Sequence, residues 1–360
     1  MATISYDFEG QRKEVEITEG SERKPIIVLL HGTGGTKSDM VSPEFAPDNN
    51  YDHSSIFPGD VSIGWRYYPG VGVWSCCEPD PKIMDLLSWQ DILSKYKFRT
   101  AVYSQVDPVG FLARPVAELV VVMATLQKNF PKSKFVLLAH SRGGLLTRQF
   151  LKDNPELART ITKVITLHSP HIGSSLASIA STIREVVETL QNAIGDIVLV
   201  LLGWLLDMAD SDAYREMAVG SAYLTELAKG ETAYPWIKYF TFGGTSVRLT
   251  RIRSWVYTAE SAIPQWHLPP FFHERAVSEV PGISPIVDSL PDLIDELTEG
   301  LGDLLTADAR TRLPFATHQI NHINHAEALW HPVIQAQVLR ILGEDPSDVF
   351  PPGDDSSFWG

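Results

Sequence analysis

The stretch "VLLAHSRGGLL", Val136 to Leu146, places a serine between an apolar run and a pair of glycines. Val136 to Ala139 are uncharged strand formers and Leu145 to Leu151 have helical apolar spacing, so Ser141 falls on the turn between a strand and a helix. A serine hydroxyl becomes a useful nucleophile only when a base removes its proton and an acid orients that base. A turn sharp enough to present such a serine demands small residues two positions before and two after it. Ala139 and Gly143 stand there, alanine replacing the commoner glycine. A serine helix cap flanked by packing glycines would use the same residue types, so the other reacting groups decide between the two.

"HQINHINHAEALWHP" supplies His318, His322, His325 and His331. His325 is the preferred base because it lies between an extended alternating stretch and the last helix, where an imidazole can project over a sheet edge; His322 is the alternative. Upstream, Asp303 follows a glycine at the end of an acidic segment, with Asp308, Asp295 and Glu260 as other candidate acids. Acids in such a segment ordinarily face solvent. A fourth element is "HGTGG", His31 to Gly35, directly after an apolar strand. Its backbone fits a loop that offers an N–H to a developing oxyanion, from Thr33, with a second N–H from Arg142 after the nucleophile. Each such donor is worth about 3 kcal/mol. His31, His140, Leu202, Leu206 and Trp266 are candidate substrate contacts.

These residues need a scaffold, and the chain reads as alternating strands and helices. "ISYDF" and "KEVEIT" form a hairpin, and "KPIIVLL" is a buried strand running into the glycine loop. Residues 37–88, rich in Pro, Gly, Asp and aromatics, read as a loop insertion. "FRTAVYSQ" is a strand, Pro115 to Phe130 a helix, "KFVLLAHS" a strand, Gly143 to Leu151 a helix and "ITKVITLHS" a strand. Strands separated by helices of this length imply a mostly parallel sheet covered on both faces.

A helical block follows, from about Ser174 to Ala228, containing the apolar run "IVLVLLGWLL" at Ile197 to Leu206. That run is short of the roughly 20 residues a bilayer span requires, and it reads equally as a core helix or as a lid that meets an apolar interface. "WIKYFTFGG" returns to the sheet, "SPIVDSLPDLIDELTEGLGD" is an acidic amphipathic helix and "AEALWHPVIQAQVLRIL" is a closing helix. The expected organisation is one domain over residues 1–342, with insertions at about 37–88, 174–228 and 246–300, and a loosely ordered tail at 343–360.

Composition narrows the function class. A hydrophobic content of 44% and a charged content of 21% are ordinary for a globular protein. The net charge of -14 repels phosphate backbones, and the basic group Arg248, Arg251 and Arg253 is small, so nucleic acid is not an expected partner. The start "MATISYDFEGQRKEVEIT" lacks the basic and apolar sequence of a secretory signal, which makes the cytoplasm the default expectation, although a mature secreted chain would read the same way. Cys76 and Cys77 are adjacent, and a disulfide between neighbours is strained, so free thiols are expected.

With the elbow serine "AHSRG", the "HGTGG" loop and "SPHIGSSLA" in place, the chain from about Pro25 to Leu342 resembles the α/β-hydrolase superfamily, and within it bacterial lipases and esterases. In those lipases a loop aspartate of a "D-G-L-V" type motif precedes an "N-H" histidine. Asp303 lies 22 residues before His325, which follows Asn324, with Leu304 replacing the usual glycine. The resemblance implies an α/β-hydrolase fold with a helical cap and a triad of Ser141, Asp303 and His325 in the order that fold uses. It implies hydrolysis of small-molecule or lipid acyl esters through an acyl-enzyme, with no organic cofactor. It also implies a candidate structural calcium, with Glu327 two residues after His325 as one ligand and Asp288 or Asp292 as another, helix-surface acids being the plainer alternative. Polyester cleavage or acyl transfer would use the same triad, and a non-catalytic lipid-binding protein could use the same scaffold.

Overall fold

The computed structural model describes residues 2–41, 59–68, 73–78, 88–175, 211–231, 233–257, 265–266, 275–276 and 294–348, with 59–68, 73–78, 248–257, 265–266 and 275–276 as backbone only. In chain order the strands are β1 (Ala2–Phe8), β2 (Gln11–Ile17), β3 (Ile26–Leu30), β4 (Gly59–Tyr68), β5 (Val73–Glu78), β6 (Arg99–Val102), β7 (Phe135–His140), β8 (Ile161–Leu167), β9 (Lys238–Gly244), β10 (Arg248–Tyr257), β11 (Gln265–Trp266), β12 (Arg275–Ala276) and β13 (Thr317–Asn321). The helices are α1 (Ser38–Val41), α2 (Trp89–Lys95), α3 (Ala113–Asn129), α4 (Gly143–Asp153), α5 (Pro155–Ala158), α6 (Asp212–Met217), α7 (Ala222–Ala228), α8 (Ile294–Leu297) and α9 (Pro332–Leu342).

The main sheet has eight strands in the order β1-β2-β6-β3-β7-β8-β9-β13. β1, β2 and β6 pair antiparallel, and every pair from β6 through to β13 is parallel. The unbroken apolar runs of β3 and β7 divide by the strand's two-residue period. Ile26, Val28 and Leu30 with Phe135, Leu137 and Ala139 face the apolar sides of α3 and α4. Ile27 and Leu29 with Val136 and Leu138 face α2, α9 and two indoles, Trp89 and Trp330. Both faces of the sheet are therefore dry, as the alternation of strands and helices in the sequence requires.

The structure departs from the sequence reading in four places. The insertion expected to be loop carries β4 and β5, an antiparallel pair whose register shifts between Gly64 and Trp65. β4 in turn pairs in parallel with β10 to build a second sheet of five strands that also takes in β11 and β12. Within the acidic segment, α8 is the only helix among the described residues, and a turn through Gly302 follows it. The closing helix begins at Pro332, capped by His331, whose Nδ1 accepts from Val333 N at 3.3 Å, and the upstream Glu327–Leu329 is a separate 3₁₀ turn. Proline suits a first helical position because its missing N–H would have no partner there anyway. The start of the expected tail is fastened as well, with Lys24 Nζ 2.6 Å from Glu344 Oε1. Among the described residues no helix is long and apolar enough to cross a membrane.

Candidate active site

Ser141 closes the step from β7 to α4 at φ +53, a left-handed conformation that costs a residue with a β-carbon about 1–2 kcal/mol. Its N–H donates to Leu167 O at 2.9 Å and its carbonyl accepts from Gly144 N at 3.0 Å. The space around the turn is made by glycines. A β-carbon on Gly32 would lie 2.8 Å from Ser141 Cβ, and one on Gly143 would lie 2.9 Å from the carbonyls of Leu30 and His31. Strain and crowding together aim the serine off the end of the sheet.

The "HGTGG" loop is fastened from behind. His31 Nε2 accepts from Gln105 N at 3.0 Å, Gln105 Nε2 donates to His31 O at 2.9 Å, and His31 Nδ1 donates to Gly32 O at 3.0 Å. Burial pushes the His31 imidazole down to about 4, so it is neutral with its proton on Nδ1. Arg142, the residue after the serine, turns its guanidinium away from the site to Pro108 O at 3.0 Å, to Gly110 O and to Glu216 Oε2 at 3.3 Å. Gly34 N also donates to Pro108 O at 3.1 Å. One loop, residues 107–111, thus ties the chain around Thr33 to the start of α4.

His325 lies in the loop after β13. Asn324 Oδ1 accepts from the amides of Ala326 at 3.0 Å and Glu327 at 2.9 Å, while Asn324 N donates to Glu327 Oε2 at 2.6 Å. These reciprocal bonds fix the backbone on both sides of the histidine, and His140 Nε2 donates to His325 O at 3.0 Å. His325 Nδ1 is 2.9 Å from Asp303 Oδ2, and its buried Nε2 has no hydrogen-bond partner among the described residues. Asp303 sits in a tight turn where its Oδ1 accepts from the amides of Leu305 at 3.0 Å and Thr306 at 2.7 Å. Burial alone would push this carboxyl up; the facing imidazoles of His325 and His168 hold it well below the usual carboxylate range.

The fold has counterparts among known proteins. Residues 100–198 match the family model of the PGAP1-like alpha/beta domain. Among solved structures, the mature form of the Bacillus licheniformis lipase BlEst2 superposes with a TM-score of 0.52 at 16% identity, over 91% of this chain and 97% of that one. Its propeptide form gives a TM-score of 0.52 at 17% identity, over 92% of this chain and 54% of that one. The chain has the α/β-hydrolase fold. No curated protein matches it by sequence.

In this α/β-hydrolase fold, Ser141 and His325 line one cavity of about 100 Å³ with Gly32, Thr33 and His140. Its other wall is apolar, formed by Tyr214, Met217, Leu304, Leu305 and Leu329. Of the candidate substrate contacts, His140 lines the cavity, whereas His31 is withdrawn behind Gly32 and does not. Leu202 and Leu206, with the whole run Ile197 to Leu206, lie outside the described residues, and Trp266 is described only as backbone in β11.

The alternatives for base and acid are engaged elsewhere. His322 is exposed and pairs with Glu299 at 3.0 Å. Asp308 holds His318 Nε2 at 2.8 Å and the Arg312 guanidinium, and Asp295 is exposed. Glu260 lies outside the described residues. Glu327 gives one carboxylate oxygen to the Asn324 turn, and Asp288 and Asp292 lie outside the described residues. The donor cluster that the described residues do assemble is His168, Asp303 and His325, whose two imidazoles are unlike the all-oxygen shell calcium takes.

Sequence reasoning passed over His168 and Gly244. His168 Nδ1 lies 2.8 Å from Asp303 Oδ2, and a β-carbon on Gly244 would meet both His168 Cε1 and Asp303 Cβ below 3 Å. The available sign was position, since His168 follows β8 directly, just as Ser141 follows the neighbouring β7.

Proposed function

We propose that the protein is a serine carboxylic-ester hydrolase of the lipase and esterase kind, with Ser141 as nucleophile, His325 as base and Asp303 as the acid that orients it. One observation carries this reading: the Nε2 of an imidazole anchored by a carboxylate at 2.9 Å is left without a partner in the same cavity as a serine at φ +53. The first step joins Ser141 Oγ to the ester carbonyl carbon while the hydroxyl proton passes to His325 Nε2. The carbonyl oxygen becomes an oxyanion facing the N–H groups of Thr33 and Arg142. Its collapse expels the alcohol, which takes the proton from His325. Water, deprotonated by the same nitrogen, then releases the acid and restores the serine.

Asp303 stays ionised throughout and keeps the His325 proton on Nδ1, leaving Nε2 free to accept. The leucine and methionine wall of the cavity favours an apolar acyl group over a polar one, at about 0.8 kcal/mol per buried methylene. The decisive experiment is hydrolysis of p-nitrophenyl esters from acetate to palmitate by wild type and Ser141→Ala. The variant should lose about 10⁴-fold or more with its thermal unfolding unchanged. More than a tenth of wild-type activity in a folded Ser141→Ala protein would reject the assignment.

A further inference from the structure

Asp303 Oδ2 faces two imidazoles, and the proposed ester hydrolysis uses only one of them. The second, His168, stands at φ +52, unfavourable for any residue with a β-carbon, with its amide donating to Phe242 O at 2.9 Å. Its ring is fully buried, in space that Gly244 leaves open: a β-carbon there would lie 2.3 Å from His168 Cε1. The Nδ1 is within ion-pair distance of Asp303 Oδ2, at 2.8 Å, although the N–H direction is bent away from a linear bond to it.

Burial holds the His168 imidazole below its usual range against the pull of Asp303, so the ring is neutral and carries a single N–H. A bare nitrogen lone pair 2.8 Å from a carboxylate oxygen would be repelled. The proton therefore belongs on Nδ1, on the Asp303 side.

We propose that His168 is a positioning residue, whose Nδ1–H holds Asp303 Oδ2 in place for His325 and lowers the basicity of that oxygen. The proposal rests on the reading of Ser141, His325 and Asp303 as nucleophile, base and acid. With Oδ1 fixed by the amides of Leu305 and Thr306, His168 supplies the constraint on Oδ2 that His325 cannot, because His325 must change its charge in every cycle. Without His168 the carboxylate binds an imidazolium more strongly. His325 would then gain its proton at higher pH and return it to the leaving alcohol less readily. The titratable groups facing this pair are His140 from β7, Asp303, Tyr214 from α6 and Asp308. All are retained in the variants that test it.

Two variants separate the donor from the ring. His168→Phe keeps a ring and removes the N–H; His168→Asn keeps an N–H donor and accepts the left-handed backbone well. For the phenylalanine variant kcat should fall about tenfold, the low end for losing a hydrogen bond to a charged group because the N–H is not aligned on Oδ2, with KM little changed. The acid limb of its kcat/KM profile should move to higher pH, and the asparagine variant should stay close to wild type. A folded phenylalanine variant with the wild-type limb, or an asparagine variant as impaired as phenylalanine, overturns the proposal. Nitrogen-15 histidine NMR of the wild-type chain tests the tautomer directly and needs no variant to fold, because His168 protonated on Nε2 instead of Nδ1 would also overturn it. Activity surviving in Ser141→Ala would instead overturn the triad reading and leave the His168 tautomer standing, so the two failures are told apart.

Discussion

Gly32 and Ser141 meet so closely that a β-carbon on the glycine would lie 2.8 Å from Ser141 Cβ. Gly32→Ala must therefore push Ser141 or the "HGTGG" loop out of place. A displacement of around 1 Å at a reacting group costs about a hundredfold. We expect kcat/KM to fall by about that factor while circular dichroism stays native, and wild-type kinetics in the alanine variant would show that the loop can retreat freely.

Asp303 and Asp308 are five positions apart and serve different histidines, His325 and His318. Asp303→Asn should lower kcat by about 10⁴-fold, since an amide cannot hold the same His325 tautomer. Asp308→Asn should leave kcat nearly unchanged and lower stability at neutral pH by about 2 kcal/mol, the worth of hydrogen bonds to a charged group. If the two kinetic outcomes are exchanged, the acid is Asp308.

The same carboxylate gives a pH dependence with a defined sign. Burial opposes ionisation of Asp308, but His318 and Arg312 outweigh it and hold its pKa below the usual 3.8. A depressed carboxylate stabilises the fold above the unfolded pKa, and that contribution is lost as pH falls through the folded one. The stability gap between wild type and Asp308→Asn, measured by urea unfolding, should therefore be constant above about pH 5 and close below pH 4. A gap that widens on acidification would contradict the assignment.

Leu304 occupies φ +89 one residue after Asp303, and its buried side chain lines the cavity. Leu304→Gly relieves about 1–2 kcal/mol of backbone strain and removes an apolar contact worth about 1.5–3 kcal/mol. The melting temperature should thus fall only slightly, while the octanoate-to-acetate rate ratio drops severalfold. A ratio equal to wild type would place the acyl chain away from Leu304.

His325→Ala should be nearly as damaging as loss of the serine. His322→Ala should keep most of the activity and lose less than about 1 kcal/mol of stability, as for other exposed ion pairs. The reverse ranking of their kcat values would move the base to His322.

The buried strands were legible because a parallel strand covered on both faces carries an unbroken apolar run, as in "IIVLL" and "FVLLAH". The strand-to-helix turn at Ser141 was legible because so sharp a turn restricts the residue types that fit, whereas Thr33, Asp303 and His325 were chosen by chain order and resemblance; the structure brings Ser141, Thr33 and His325 to one cavity, with Asp303 facing His325. His168 left no such local sign. Its partner Asp303 is distant in the chain, and a histidine after a strand is ordinary until the sheet order shows that β8 adjoins β7. The β4–β5 pair was hidden among glycines, prolines and aromatics because its partner β10 is likewise remote in sequence. The start of α9 was misplaced because the apolar pattern of "AEALWHPV" runs through Pro332 without a break.

The parallel pairing of β4 with β10 matches Gly59 to Thr250, so about 190 residues separate the two partners. At a synthesis rate of about 5–20 residues per second, β10 leaves the ribosome roughly ten to forty seconds after β4. Throughout that interval β4 and β5 have only each other, and a lone two-stranded hairpin is at best marginally stable in water. The nascent chain thus carries an unmatched strand edge while the elbow strand and its helix are already being made. The main sheet waits longer still, since its last strand, β13, is made after every strand of the second sheet, so both sheets close only when the C-terminal third of the chain has emerged.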